Sequence, residues 1–243
     1  MVWHPGVLRD PALSGSSACW TVGCDAGRPS GLALLRVSSV GEVHAASATL
    51  RFGAHPTPSK HVVMEVEGAL MAALAMEPSA CRGSQRFLPG DDPRGEWWEY
   101  AGEAGGDVHE RAGTDHAQAQ GKRRSLQKTT RLEGQIAAAV AMTVALRGEA
   151  TYPAEVWRQI IRAQGAKTEL AKALAVGFIE RQFAAVVSDH EAEAICIALF
   201  HIRTLRMGER RAQSPLLPEE PKGKGRRELP QAVLDAAARE PVR

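Results

Sequence analysis

No stretch of the 243 residues approaches the roughly 20 consecutive apolar positions that a membrane-spanning helix needs, so no membrane partner is expected. The opening residues, Met-Val-Trp-His-Pro-Gly, lack the basic segment and apolar core of a secretory signal, and a cytoplasmic location is expected. Cysteine is scarce. Cys19, Cys24, Cys81 and Cys196 include no CxxC pair, which argues against a disulfide-stapled scaffold and for reduced, mostly buried thiols. Charge of one sign is also missing: the net value is only +2, so bulk charge does not mark a nucleic-acid binder. What is present is 44% hydrophobic and 24% charged residues. That apolar share is too high for general disorder and sufficient for one domain with a real core.

The distribution of charge says more than its sum. Between Ala75 and Gly121 lie nine acids against four arginines, with abundant glycine and no apolar period after Met76. We read 78–120 as a long insertion, mobile or only locally ordered. Its one apolar cluster, Trp97, Trp98 and Tyr100, is either a clip onto the body or a stacking wedge for unpaired bases. Lys122, Arg123, Arg124, Lys128 and Arg131 follow at once, with no acid among them. This patch is either a solvated face or a phosphate-binding surface, and its place after an acidic loop favours phosphate. Residues 1–17 read as an extended arm. Residues 207–243 read as a basic, disordered tail, with a possible short helix at Leu229–Arg239.

Between these lies the ordered body, 18–206. Ala18–Cys24, Gly31–Val37 and Glu42–Leu50 are short apolar runs split by turn residues, which predicts three antiparallel strands. His61–Glu67 predicts a fourth strand. Ser125–Arg147 carries a helical apolar face, Glu149–Trp157 suggests a fifth strand and a turn, and Thr168–Phe183 and Asp189–Arg206 predict two more helices. The order β-β-β-β-α-β-α-α implies an α/β fold: a mixed five-stranded sheet flanked by helices.

Three acids stand out by position. Asp25 ends the first strand, Glu65 follows an apolar run in the expected fourth strand, and Glu193 opens the last helix with Asp189 and His190. A carboxylate on a central strand is costly to bury unless it is paired or holds a cation. Two-metal phosphodiester cleavage needs several carboxylates converging from different elements. Glu67 shares a strand face with Glu65 and competes for its role. Ser188 with Glu191 fits a capping box, and Asp189 can serve as a helix-start acid. His190 and Glu193 are three apart on a helix, close enough to share a metal, and Asp189 competes with His190.

The motifs, taken in order, resemble those of the RuvC-type Holliday junction resolvases, within the RNase H-like nucleases. VGCDAGRPSGLALL resembles their first motif and VVMEVEGAL their second. RRSLQKTTRLEGQIAAAV and TYPAEVWRQIIRAQGAKTELAKAL resemble the helix, strand, basic turn and helix that follow. DHEAEAICIALFH resembles the closing motif, with two metal ligands three residues apart. The likeness runs over 18–76 and 122–206. Ala26 departs from the usual proline, Glu193 stands where Asp is usual, and 78–120 has no counterpart in a minimal resolvase.

The resemblance implies an RNase H-like fold and hydrolysis of phosphodiester bonds in four-way junctions by a two-metal mechanism. Asp25, Glu65, His190 and Glu193 would hold two Mg²⁺ or Mn²⁺ ions per site. Arg158, Arg162 and Lys167, around Gly165, would supply cations near the scissile phosphate, with Lys167 stabilising transition-state charge. A homodimer is implied, because a two-fold junction needs two cuts. In a bacterial or phage host the protein would be nucleoid-associated. Three other readings stay open: a nuclease of the same fold acting on flap or single-stranded DNA, a non-catalytic nucleic-acid-binding module, and an assembly protein that would not bind divalent metal.

Overall fold

The structure, a computed structural model, describes residues 1–27, 29–52, 59–77, 97–104 and 116–213. Residues 1–209 form one compact unit and 210–243 group apart; of the latter, only the end of the last helix is described. The parts of the expected insertion at 78–96 and 105–115, and the expected tail beyond 213, lie outside the described residues.

Five long strands make the sheet: β3 (Cys19–Asp25), β4 (Ser30–Val37), β5 (Glu42–Leu50), β6 (Trp97–Glu103) and β7 (Leu146–Tyr152). Two short strands, β1 (Val2–Trp3) and β2 (Leu8–Arg9), pair with β5 from the N-terminal segment. The order is β1-β5-β4-β3-β6-β7. The β3–β4 and β4–β5 pairs are antiparallel, as the turn residues require, while β3–β6 and β6–β7 are parallel. The expected mixed α/β sheet is therefore present, with β3 and β6 side by side at its centre.

Helices cover both faces. On one lie α1 (Ser59–Ala75) and α2 (His116–Thr143), packed on Trp20, Val22, Leu34 and Tyr100. On the other lie α3 (Ala154–Trp157), α4 (Thr168–Phe183) and α5 (Asp189–Gln213), packed on Cys19, Ala33, Leu35 and Ala101. Side chains alternate along each strand, so Cys19 and Asp25 of β3, and Ala101 and Glu103 of β6, point to the α5 side.

Two expectations are corrected. His61–Glu67 is not a strand: it lies inside α1, whose buried residues Val62, Val66, Leu70 and Ala73 recur at helical spacing. Three consecutive apolar residues imitate a buried strand, but the period continues for four turns. The fourth strand is instead β6, inside the segment expected as an insertion. Trp97, Trp98 and Tyr100 belong to it, so they are part of the sheet. Trp98 stacks on Trp20 with ring centroids 5.0 Å apart. Trp97 lies between the guanidinium groups of Arg147 and Arg206, at 4.8 and 5.1 Å. These rings serve the core and do not form a wedge for bases. The expected fifth strand and turn are β7 and Pro153 before the short α3, the strand starting at Leu146 because α2 ends at Thr143.

Candidate active site

β3 ends at Asp25, which is only 8% exposed. One carboxylate oxygen, Oδ1, accepts from the Gly27 backbone N–H at 3.3 Å; the other lies 2.5 Å from His190 Nδ1. His190 and Glu193 sit on the first turns of α5. That helix start is fixed by the expected capping box: Glu191 accepts from Ser188 N–H at 2.9 Å, and Glu191 N–H donates to Ser188 Oγ at 3.3 Å. The Ser188 hydroxyl also meets Thr49 of β5 at 2.9 Å.

Two glycines let α5 approach the strands closely enough for these groups to meet. A Cβ at Gly31 would collide with the His190 carbonyl, and one at Gly23 with the Ala194 carbonyl. Both obstacles are backbone, so only glycine fits.

Ligand atoms of Asp25, His190 and Glu193 all lie within 4.8 Å of one another, and this set can hold a metal ion. A third acid stands close to them. Glu103 ends β6, beside β3, and points to the same face. Burial and then the charge of Asp25 push its carboxyl up to about 7. Burial, then Asp25 and Glu103, push Glu193 up to about 7 as well. The Asp25 carboxylate, acting through its hydrogen bond, raises His190. Several carboxylates crowded and desolvated in this way are what a divalent cation relieves, so the donor set fits Mg²⁺ or Mn²⁺.

Glu65 is not part of this group. It is exposed on α1, as is its competitor Glu67, on the opposite side of the sheet from Asp25. Asp189 stands beside the cluster, engaged by Lys172: its Oδ2 is 2.7 Å from Lys172 Nζ, which keeps its carboxyl below the usual range, and its Oδ1 lies 3.9 Å from His190 Nε2. Lys172, on α4, is the lysine that stands at the site, with its pKa raised first by Asp189 and further by Glu193 and Asp25. Lys167, the lysine expected there, is exposed at the N-cap of α4 and makes no side-chain capping bond. Arg158 lies near enough to lower both Glu103 and Glu193. Arg162 is exposed at a left-handed C-cap, φ 56°.

Of the basic patch, Lys128 and Arg131 are exposed on α2; Lys122, Arg123 and Arg124 fall on its backbone, with side chains outside the described residues. Tyr100 donates to Glu133 of α2 at 3.3 Å, and Glu133 lies over Gly102. Lys128 and Arg131, five and two residues earlier on α2, are thus toward the end of the sheet that carries Glu103. His201 is a core residue, 3% exposed, 2.7 Å from the Tyr152 hydroxyl and 3.4 Å from Glu99.

A three-strand antiparallel meander, a crossover to a parallel strand beside its first member and helices on both faces are consistent with an RNase H-like α/β fold. Similar solved structures include Thermus thermophilus RuvC, with 18% identity over 78% of this chain and 96% of that one, TM-score 0.42. Another is T. thermophilus RuvC in complex with Holliday junction substrate, with 16% identity over 80% of this chain and 98% of that one, TM-score 0.41. No family model and no curated protein matches the chain. Among the described residues, no helix is long and apolar enough to cross a membrane.

Proposed function

We propose that the protein is a metal-dependent, structure-selective DNA endonuclease that resolves four-way junctions. The observation that carries this reading is the convergence of Asp25, His190 and Glu193 from one strand and one helix, with Glu103 on the adjacent strand close enough for its charge to bear on Glu193. Glu103 takes the place that the motif comparison gave to Glu65. These four would hold two divalent ions, Mg²⁺ or Mn²⁺. Such ions supply a water of lowered pKa and stabilise charge on the phosphoryl group and the leaving oxygen.

The chain's own groups do the rest. His190, hydrogen-bonded to Asp25, must be neutral at the nitrogen that ligates, so the site works above the pH at which the imidazole charges. Lys172 and Arg158 offset the carboxylate charge and lie where a phosphate would be drawn in. Lys128 and Arg131, with the bases before them, would bind the backbone of the junction arms. Two copies would place two such sites on a two-fold substrate.

The test is cleavage of four-way junction, flap, single-stranded and linear duplex DNA in Mg²⁺, Mn²⁺ or EDTA. Junction-selective cutting that needs the metal is expected. Asp25→Asn and Glu103→Gln each should lose roughly 10²-fold or more while junction binding in EDTA persists, and Glu65→Gln should stay near wild type. Preferred cutting of flaps or single strands would give the reading to a different substrate. Binding without cleavage in any metal would reduce the protein to a binding module.

A further inference from the structure

Trp157 is completely buried at the end of α3, within the core between the sheet and α4 and α5. An indole has one hydrogen-bond donor and no acceptor, and a buried donor left unpaired is costly. Here the donor goes to a site acid: Trp157 Nε1–H donates to Glu103 Oε2 at 3.2 Å. Among the described residues this is the hydrogen bond that the Glu103 side chain makes, and its other oxygen, Oε1, is not engaged in it. A face of the same ring is used too, because the Arg158 guanidinium lies over it, 5.5 Å from its centroid. One rigid, immobile ring therefore contacts both an acid and a cation of the site.

A glutamate at a strand end has three side-chain torsions, and repulsion from Asp25 and Glu193 would turn it outward. A donor fixed in the core opposes that. A hydrogen bond to a carboxylate is stronger than one to a neutral acceptor and holds one oxygen in place. Losing a group that holds a metal's ligand in this way typically costs about 10- to 100-fold in metal affinity. We propose that Trp157 is a positioning residue of the metal site: its indole N–H engages one oxygen of Glu103 and presents the other to the divalent ion, and its ring seats Arg158 beside it. This rests on the metal-dependent reading above and adds a residue to it.

The experiment uses the full chain and needs no substrate. The sequence has five tryptophans, so a ¹H–¹⁵N spectrum has five indole N–H signals, and Trp157→Phe identifies the one of interest by its loss. Titrating Mg²⁺ should move that signal more than the other four, saturating with the affinity found by calorimetry, and Asp25→Asn should abolish both responses. Trp157→Phe should weaken Mg²⁺ binding about tenfold. A core truncation on the same face, Phe183→Leu, should lower stability and leave Mg²⁺ affinity unchanged. If Trp157→Phe does not fold, the signal is assigned by its displacement in Glu103→Gln, and the titration alone decides. A Trp157 signal that stays still while Mg²⁺ binds in an Asp25-dependent way overturns this inference and leaves the metal site standing. Absence of Mg²⁺ binding, or binding indifferent to Asp25→Asn, overturns the metal reading and this inference with it.

Discussion

Glu103 and Glu193 hold protons at a pH where the unfolded chain has lost them. Each carboxyl stands near 7 in the folded protein against 4.5 for a free side chain. Between those values the folded state binds more protons, so stability falls as pH rises through the window. His190, raised by Asp25, acts in the same direction: its contribution is complete below 6.5 and is lost as pH rises through its folded value. Metal-free protein should therefore melt about 5 °C or more higher at pH 5 than at pH 8. Mg²⁺ at pH 8 should restore most of the difference, and Glu103→Gln should flatten the trend. Calorimetric scans with and without EDTA decide, and a flat wild-type profile would contradict the crowding of these acids. Asp25, His190 and Glu193 were legible in the sequence because each sits where local rules are strong, at a strand end before glycine or on the first turns of a capped helix. Glu103 was not, because Glu99 and Glu103 break the apolar run and the flanking glycines and acids suggest a loop. Only the pairing of β6 with β3, a long-range fact, turns those acids inward. Lys172 likewise depends on how α4 lies against α5.

At the scale of elements, the contact of α5 with the central strands is set by missing side chains. Gly31→Ala would drive a methyl into the backbone of His190 and so separate it from Asp25. We expect a loss of about 1–3 kcal/mol, read from urea midpoints, together with weaker metal binding. Gly68 is the contrast. It lies in α1 with nothing within 4 Å of an added Cβ, and Gly68→Ala should stabilise by ~0.5–1 kcal/mol through helix propensity alone. A stable Gly31→Ala variant with intact metal affinity would show that α5 can shift without cost. β3, β4 and β5 could be read correctly because each is short, alternates with turns and pairs with its neighbour in sequence. α1 reads as a strand because buried apolar residues look alike in strand and helix until the partner element is known, whereas β6 is hidden by the acids and glycines around it.

For the whole molecule, charge is arranged by location more than by amount. Lys128 and Arg131 lie at the end of the sheet where Glu103 and Asp25 converge. Replacing both with Ala should reduce the slope of log K against log salt for junction binding by about two, at roughly one counterion per phosphate contact, in EDTA where cutting is absent. An unchanged slope would make that patch an ordinary solvated surface. The sheet's order carries one more consequence. β3 pairs on one side with β4 at once, but its other side waits for β6: Cys19 meets Trp97 and Cys24 meets Gly102 across a long stretch of chain. During synthesis the meander of β3, β4 and β5 emerges first, with β3, a strand buried along its whole length in the folded protein, offering a bare hydrogen-bonding edge. That edge is covered only after residue 103 has left the ribosome, so pairing of nascent chains with one another competes with folding during that interval.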